Sequence, residues 1–242
     1  MKKFYFLLIL MSMLACTSIS EPNEDVSQIS QSSFNDQYEM YALEANAKIR
    51  EVYCQLSGDR TRMSDSSNSN LIDYIANMSK EQIDSLASIY CTPEIEEQRN
   101  ALYEQTIEIL VQMTNSKEVE LLFGFVNDYI DCGGNSYTLI NEALDGRPEI
   151  IANCIIRSAA AIDVVLCGES TTRAYNNYCL HQMMLGFAGG LATSAIETEV
   201  VDVAASIPGL DLVAALGFVG VDCISAIELA HKYDECCATH WE

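Results

Sequence analysis

The residues best suited to chemistry in this sequence lie near its C-terminal end, where two histidines and two cysteines occur within ten residues. They are His231, Cys236, Cys237 and His240. Two imidazoles and two thiolates can complete the tetrahedral coordination of a zinc ion, so these four residues are a candidate metal site. The two cysteines can instead form disulfides, which persist in an oxidising compartment. The preferred interpretation is therefore that Cys236 and Cys237 form disulfides to two separate helices, and we expect neither a metal nor another cofactor.

No other residue pattern in the chain is typical of a catalytic site. The sequence contains no nucleophile elbow, phosphate-binding loop, dinucleotide-binding fingerprint or His-Glu-x-x-His zinc helix. Paired carboxylates can perform general acid–base catalysis, but no single pair stands out among 35 acidic residues. We therefore expect a protein that is not an enzyme, and a metal- or carboxylate-dependent hydrolase stays open as an alternative.

The N-terminal segment carries the pattern of a targeting signal. Two lysines precede an uncharged apolar run over 4–13, and Leu14, Ala15 and Cys16 follow. This pattern resembles the signal peptide and lipobox of a bacterial lipoprotein. The run is too short for a membrane-spanning helix, which needs about 20 apolar residues. The resemblance implies that residues 1–15 are removed and that Cys16 becomes a lipid-modified N-terminal residue.

Residues 16–33 are rich in Ser, Asn, Gln and acidic side chains and lack apolar periodicity, which predicts a flexible acidic tether. The cluster of Glu21, Glu24 and Asp25 resembles the surface-export signals of Bacteroidota lipoproteins, and a solvated linker is the alternative. The expected location is the outer membrane of the cell envelope. Both the periplasmic and the surface-facing side stay open.

The chain is strongly acidic. Lys and Arg number 13 against 35 Asp and Glu, and loss of two lysines with the signal leaves 11 against 35, a formal charge of −24. Such a surface repels nucleic acid phosphates and anionic lipid headgroups, because binding either of them requires clustered cations. We therefore expect membrane contact through the lipid on Cys16, an unidentified protein or ligand as partner, and no nucleic acid.

Nine cysteines remain once Cys16 is assigned to the lipid, and each is a disulfide candidate outside the inner membrane. An odd number leaves one thiol over, and the connectivity cannot be deduced from the sequence. Cys154 and Cys167 are excluded as a pair, because they lie about 20 Å apart on one predicted helix. The nine candidates are Cys54, Cys91, Cys132, Cys154, Cys167, Cys179, Cys223, Cys236 and Cys237.

Apolar residues recur at helical spacing through most of the chain after residue 33, and no stretch alternates as a β-strand does. Ser79 and Gln82 match a capping box, and Thr92 followed by Pro93 matches another helix start. The predicted fold class is all-α, a disulfide-stabilised bundle of about eight to ten helices. The clearest predicted helices span 38–56, 80–90, 93–114, 116–131 and 148–165.

Two regions follow the tether in the predicted domain organisation. Residues 34–168 form a helical domain, and residues 169–242 form a Gly- and Ala-rich, cysteine-containing helical region packed on it. In the second region Pro208 and Gly209 break a hairpin whose small residues would let helices approach closely. Its acidic residues would be costly in hydrocarbon, so a packed core hairpin is preferred over a membrane-active one.

Two shorter segments resemble known proteins. The stretch from Leu216 to Cys237 is similar to the cysteine-rich C-terminal region of halocin-type bacteriocins, which implies a precursor with a released, membrane-active C-terminal part beginning near Cys179. The tripeptide Asp84-Ser85-Leu86 resembles O-glycosylation acceptor sites of Bacteroidota proteins, which implies that Ser85 is modified. The leading prediction remains a non-enzymatic envelope lipoprotein that presents an acidic helical domain for binding, with the bacteriocin-like precursor as its alternative.

Overall fold

The computed structural model describes residues 31–58, 69–167, 177–205 and 218–240, and these ranges contain nine helices and no strand. The all-α prediction is therefore confirmed. The signal segment, Cys16 and the break at Pro208 and Gly209 lie outside the described residues. The helices are α1 (Gln31–Ser57), α2 (Ser69–Ala76), α3 (Lys80–Tyr90), α4 (Pro93–Met113), α5 (Ser116–Asp131), α6 (Tyr137–Leu144), α7 (Glu149–Leu166), α8 (Tyr178–Ala204) and α9 (Phe218–His240).

Local capping signals set the starts of α3 and α4 as the sequence predicted. The Gln82 backbone N–H donates to the Ser79 hydroxyl, and the Gln82 side chain accepts from the Ser79 N–H at 2.8 Å. The Thr92 hydroxyl accepts from the Ile95 N–H, and Pro93 occupies the first helical position. These bonds satisfy backbone donors that a helix start would otherwise leave without partners.

The predicted boundary of the tether needs a correction. Helix α1 begins at Gln31, so residues 31–33, which were assigned to the tether, are helical. Phe34 in the first turn is buried, and its ring centroid lies 5.9 Å from that of Tyr38 and 5.8 Å from that of Tyr137. The core therefore extends to the first turn of α1, which holds these residues in the helix.

Helices α7 and α8 form the centre of the bundle. Helix α8 is predominantly apolar without a single apolar face, as expected for a helix with neighbours on several sides, and it also carries the buried Glu197 and Glu199. It packs most extensively against α7 and α9 and also contacts α4 and α5. Helix α7, most of whose residues are buried, packs in addition against α1, α5 and α6. None of the described helices combines the length and apolar character needed to cross a membrane.

Candidate functional site

Charged side chains are buried at two adjacent places around α8, and the sequence indicated neither of them as a site. The first, called here the arginine cluster, consists of Glu44, Asn153, Arg157, Glu199 and Asp202. Arg157 is only 7% exposed. Its Nη2 lies 2.6 Å from Glu44 Oε2, and its Nη1 donates to Glu199 at 2.9 Å and to Asp202 at 3.0 Å. Asn153 Nδ2 donates to the other Glu199 oxygen at 3.0 Å, so both buried oxygens have partners.

A cleft of about 350 Å³ opens beside the arginine cluster, between α1, α7 and α8. The guanidinium carbon of Arg157 lies 4.9 Å from the centroid of the Tyr41 ring at this cleft. Charged side chains from α1 line the cleft, and its walls are small and apolar. The wall residues are Ala45, Ala47, Ala161, Leu191 and Ala195, and the charged lining residues on α1 are Glu44, Lys48 and Glu51.

The second place lies on the far side of Lys48 and is called here the acidic cavity. Lys48 Nζ donates to the Ser194 hydroxyl and lies 3.4 Å from Asp222 Oδ2. That Asp222 oxygen is buried and accepts no hydrogen bond within the part of the chain that the structure describes. Glu197, which is 3% exposed, faces the same space of about 220 Å³ between α4, α8 and α9.

The mouth of the acidic cavity is formed by α4. Arg99, Asn100 and Tyr103 line it there, and Arg99 Nη1 lies 2.9 Å from Glu228 Oε1. Tyr103 is 40% exposed. The cavity therefore has a polar, aromatic entrance and a floor of two buried carboxylates.

Burial raises the pKa of both carboxyl groups in the acidic cavity. Burial, and then the negative charge of Asp222, raises the pKa of Glu197 to about 7, although the cations of Lys48 and Arg99 oppose the shift. Burial also raises the pKa of Asp222, against the lowering effects of Lys48 and Ser194. Near neutral pH the cavity therefore holds a carboxyl group that is poised between its neutral and charged forms.

The protonation of Glu197 predicts a pH dependence of stability. The ordinary pKa of this group is 4.5 and that in the folded protein about 7, so the folded state binds the proton more tightly. The resulting stabilisation is full below the unfolded value and is lost as pH rises through about 7. We expect the contribution of Glu197 to the free energy of unfolding to be about 2 kcal/mol larger at pH 5 than at pH 7.5.

Urea unfolding of the wild type and of Glu197→Gln at both pH values checks this expectation. The variant cannot titrate at this position, and subtracting its pH dependence removes the effect of every other carboxyl group. Equal pH dependence in the two proteins would contradict a raised pKa at Glu197.

A third polar cluster, around Asp163, is structural. Tyr38 and Tyr129 donate their hydroxyls to Asp163 Oδ2, the latter at 2.9 Å, and the Asn135 N–H donates to Oδ1 at 2.7 Å. Gly134 has a φ of 74°, and a Cβ at this position would collide with the Asp163 carboxylate. This cluster ties α1, α5 and the turn after α5 to α7, and both oxygens of the Asp163 carboxylate accept hydrogen bonds.

The C-terminal tail holds one disulfide where the sequence suggested two. Cys236 is bonded to Cys179 at the start of α8, whereas Cys237 is a thiol. Since Cys236 is oxidised, it cannot act as a zinc ligand with His231, and the side chain of His240 lies outside the described residues. Within the described ranges no group of three or more His, Cys, Asp or Glu residues could hold a metal ion.

The other disulfide candidates also require a correction. Cys154 and Cys223 are buried thiols that pack as small apolar residues in the core, and burial raises the pKa of Cys223 to about 12. Cys54 lies half-buried on α1, and the remaining thiols are Cys91, Cys132 and Cys167.

Ser85, the candidate for O-glycosylation, lies on α3, as predicted, and its side chain is exposed.

Comparisons with protein families, curated proteins and solved structures give no match to this chain.

Proposed function

We propose that the protein is a non-enzymatic ligand-binding domain of the cell envelope, held at the membrane by a lipid on Cys16. The observation that supports this most strongly is the cleft between α1, α7 and α8. Its volume of about 350 Å³ falls in the range of small-molecule sites. Apolar walls with a few fixed polar groups are the usual composition of such sites. The ion pairs of Arg157 fix the position of the charged group at one end of the cleft.

The charges around the cleft favour a ligand with a positive group and a short apolar body. Arg157 is already paired with three carboxylates, and Lys48 is paired with Asp222. Neither cation is left to bind an anion, while Glu51 adds an exposed negative charge to the lining. The strongly acidic composition of the whole chain also favours a cationic ligand, because it attracts cations to the domain.

The anchoring part of the proposal rests on the lipobox and is tested separately. In cells that express the full-length chain, Cys16→Ser should move the protein from the membrane fraction to the soluble fraction. A protein that stays in the soluble fraction with Cys16 intact would contradict the lipid anchor.

Binding to the cleft is tested by calorimetry with octylammonium, which carries one positive charge on an apolar chain. Ala47 is exposed and lines the cleft, so Ala47→Trp should obstruct it without disturbing the core. We expect roughly tenfold weaker binding in this variant. The matched control is Ala101→Trp, on an exposed position of α4, and it should bind as the wild type does. Equal affinity for octanoate, or equal loss in both variants, would contradict the proposal.

One observation keeps the bacteriocin-like precursor as a second candidate function. The Cys179–Cys236 disulfide would keep α8 and α9 joined after cleavage of the chain before α8. Release of α8 would, however, expose the central helix of the bundle, which packs against four other helices. The size of the mature protein in cells decides between the two candidates. A precursor yields a fragment of about the last quarter of the chain, whereas an envelope binding domain stays intact.

A further inference from the structure

The acidic cavity contains more buried negative charge than the protein itself neutralises. Asp222 is paired with Lys48, but the buried Glu197 forms no ion pair within the residues that the structure describes. Arg99 at the mouth is already paired with Glu228. Burial of an uncompensated carboxylate is costly, because the group loses its hydration. The arrangement therefore leaves a deficit of one positive charge inside a cavity.

A second feature indicates room for a further hydrogen-bond donor at the same place. Asp222, which is 6% exposed, lines the cavity with an Oδ2 that lies 3.4 Å from Lys48 Nζ but accepts no hydrogen bond from the described residues. Thr193 also lines the cavity, and its hydroxyl proton is already donated to the Gly189 carbonyl at 3.0 Å. The Thr193 oxygen can therefore only accept at the cavity. The walls offer acceptors and a net negative charge.

We infer that the acidic cavity is a binding site for a small primary ammonium group, separate from the cleft. An ammonium ion supplies one positive charge and three N–H donors, which match the charge deficit and the acceptors of Glu197, Asp222 and Thr193. The space of about 220 Å³ accommodates a short alkyl chain behind the charge. The exposed ring of Tyr103 at the mouth can contact this chain or the cation.

The inference predicts opposite effects of one substitution on stability and on binding. Glu197→Gln removes the uncompensated charge, so the free protein should melt at a higher temperature than the wild type near pH 7.5. The same substitution removes the counterion of the ammonium, so the gain in melting temperature that the ligand produces by binding in this cavity should disappear. A glutamate that served only the fold would show the opposite sign, because its replacement would lower the melting temperature.

Thermal unfolding at pH 7.5 with butylammonium chloride tests the site, and sodium chloride, potassium chloride and 1-butanol serve as the comparison solutes. We expect butylammonium to raise the melting temperature of the wild type at least twice as much as either salt at equal ionic strength. In the Ala47→Trp background, in which the cleft is obstructed, the rise should vanish on Glu197→Gln and persist on Glu235→Gln, an exposed position on α9. Gly190→Ala, whose Cβ would lie 3.7 Å from Ser225 Cβ without a clash, should reduce it by narrowing the cavity.

Three outcomes would overturn the inference. Equal shifts with sodium, potassium and butylammonium would indicate general screening or an inorganic cation. A shift of equal size in Glu197→Gln would place the binding elsewhere, and a lower melting temperature of that variant without ligand would assign Glu197 to the fold. Ala47→Trp separates this site from the cleft, because the butylammonium shift that remains once the cleft is obstructed belongs to the acidic cavity.

Discussion

Replacement of Arg157 by methionine is expected to lower the free energy of unfolding by about 3 to 5 kcal/mol. The substitution keeps an unbranched side chain at a buried position of α7. Among the described residues it removes the only cation that contacts Glu199, which is itself 6% exposed. A carboxylate stranded in a low-dielectric interior costs more than the ion pair itself contributes. Urea unfolding monitored by circular dichroism measures the change.

Two further variants show whether the stranded charge causes this loss. The double variant Arg157→Met, Glu199→Met removes both charges, so it should recover most of the stability lost in the single variant. Arg147→Met breaks the ion pair between Arg147 and Glu118, whose charged atoms lie 3.2 Å apart. The Arg147 side chain is more exposed than that of Arg157, so this substitution should cost about 1 kcal/mol of unfolding free energy. A loss at Arg157 no larger than that at Arg147, or no recovery in the double variant, would argue against a charge effect.

Local signals were sufficient to predict the helices but not the clusters between them. The capping residues Ser79 and Thr92 act within three or four residues of chain, so their pattern can be read directly. Lys48 and Asp222, in contrast, belong to α1 and α9, at opposite ends of the described chain. No local spacing relates such residues, because it is the packing of α1 against α9 that brings them together.

The buried charges did leave a signal in the sequence, which was interpreted differently. Glu197, Glu199 and Asp222 are among the acidic residues of the C-terminal region that disfavour its insertion into a membrane. Their presence in apolar helices also implied buried carboxylates in a packed core. Arg157 inside the apolar run of α7 is the matching signal for a buried cation, since such a residue is rarely buried without a partner.

Helix geometry allows only one of the two tail cysteines to reach the start of α8. Successive residues of a helix point about 100° apart around its axis. Helix α9 continues through His240, so Cys236 and Cys237 cannot both face the start of α8. The sequence-based interpretation anchored the pair to two separate helices, whereas Cys236 is bonded to Cys179 of α8 and Cys237 is a thiol.

Removal of the Cys179–Cys236 disulfide is expected to lower the free energy of unfolding by about 3 to 4 kcal/mol. The bond joins residues 57 positions apart, and in the chain-entropy model closure of such a loop restricts the unfolded chain strongly. It fixes the first turn of α8 to the C-terminal part of α9. Its loss therefore frees the C-terminal end of α9 from α8. The double variant Cys179→Ala, Cys236→Ala tests this by urea unfolding.

Reductant and the neighbouring thiol provide the controls for this prediction. Dithiothreitol should lower the stability of the wild type to that of the double variant, because it reduces the Cys179–Cys236 bond. It should leave the double variant unchanged, because that variant lacks this bond. Cys237→Ala, on the same turn of α9 but without a disulfide, should cost no more than about 1 kcal/mol. Wild type that keeps its full stability in dithiothreitol would show that the loop contributes little to folding, and the stability of the bundle would then rest on the packing of α7 and α8.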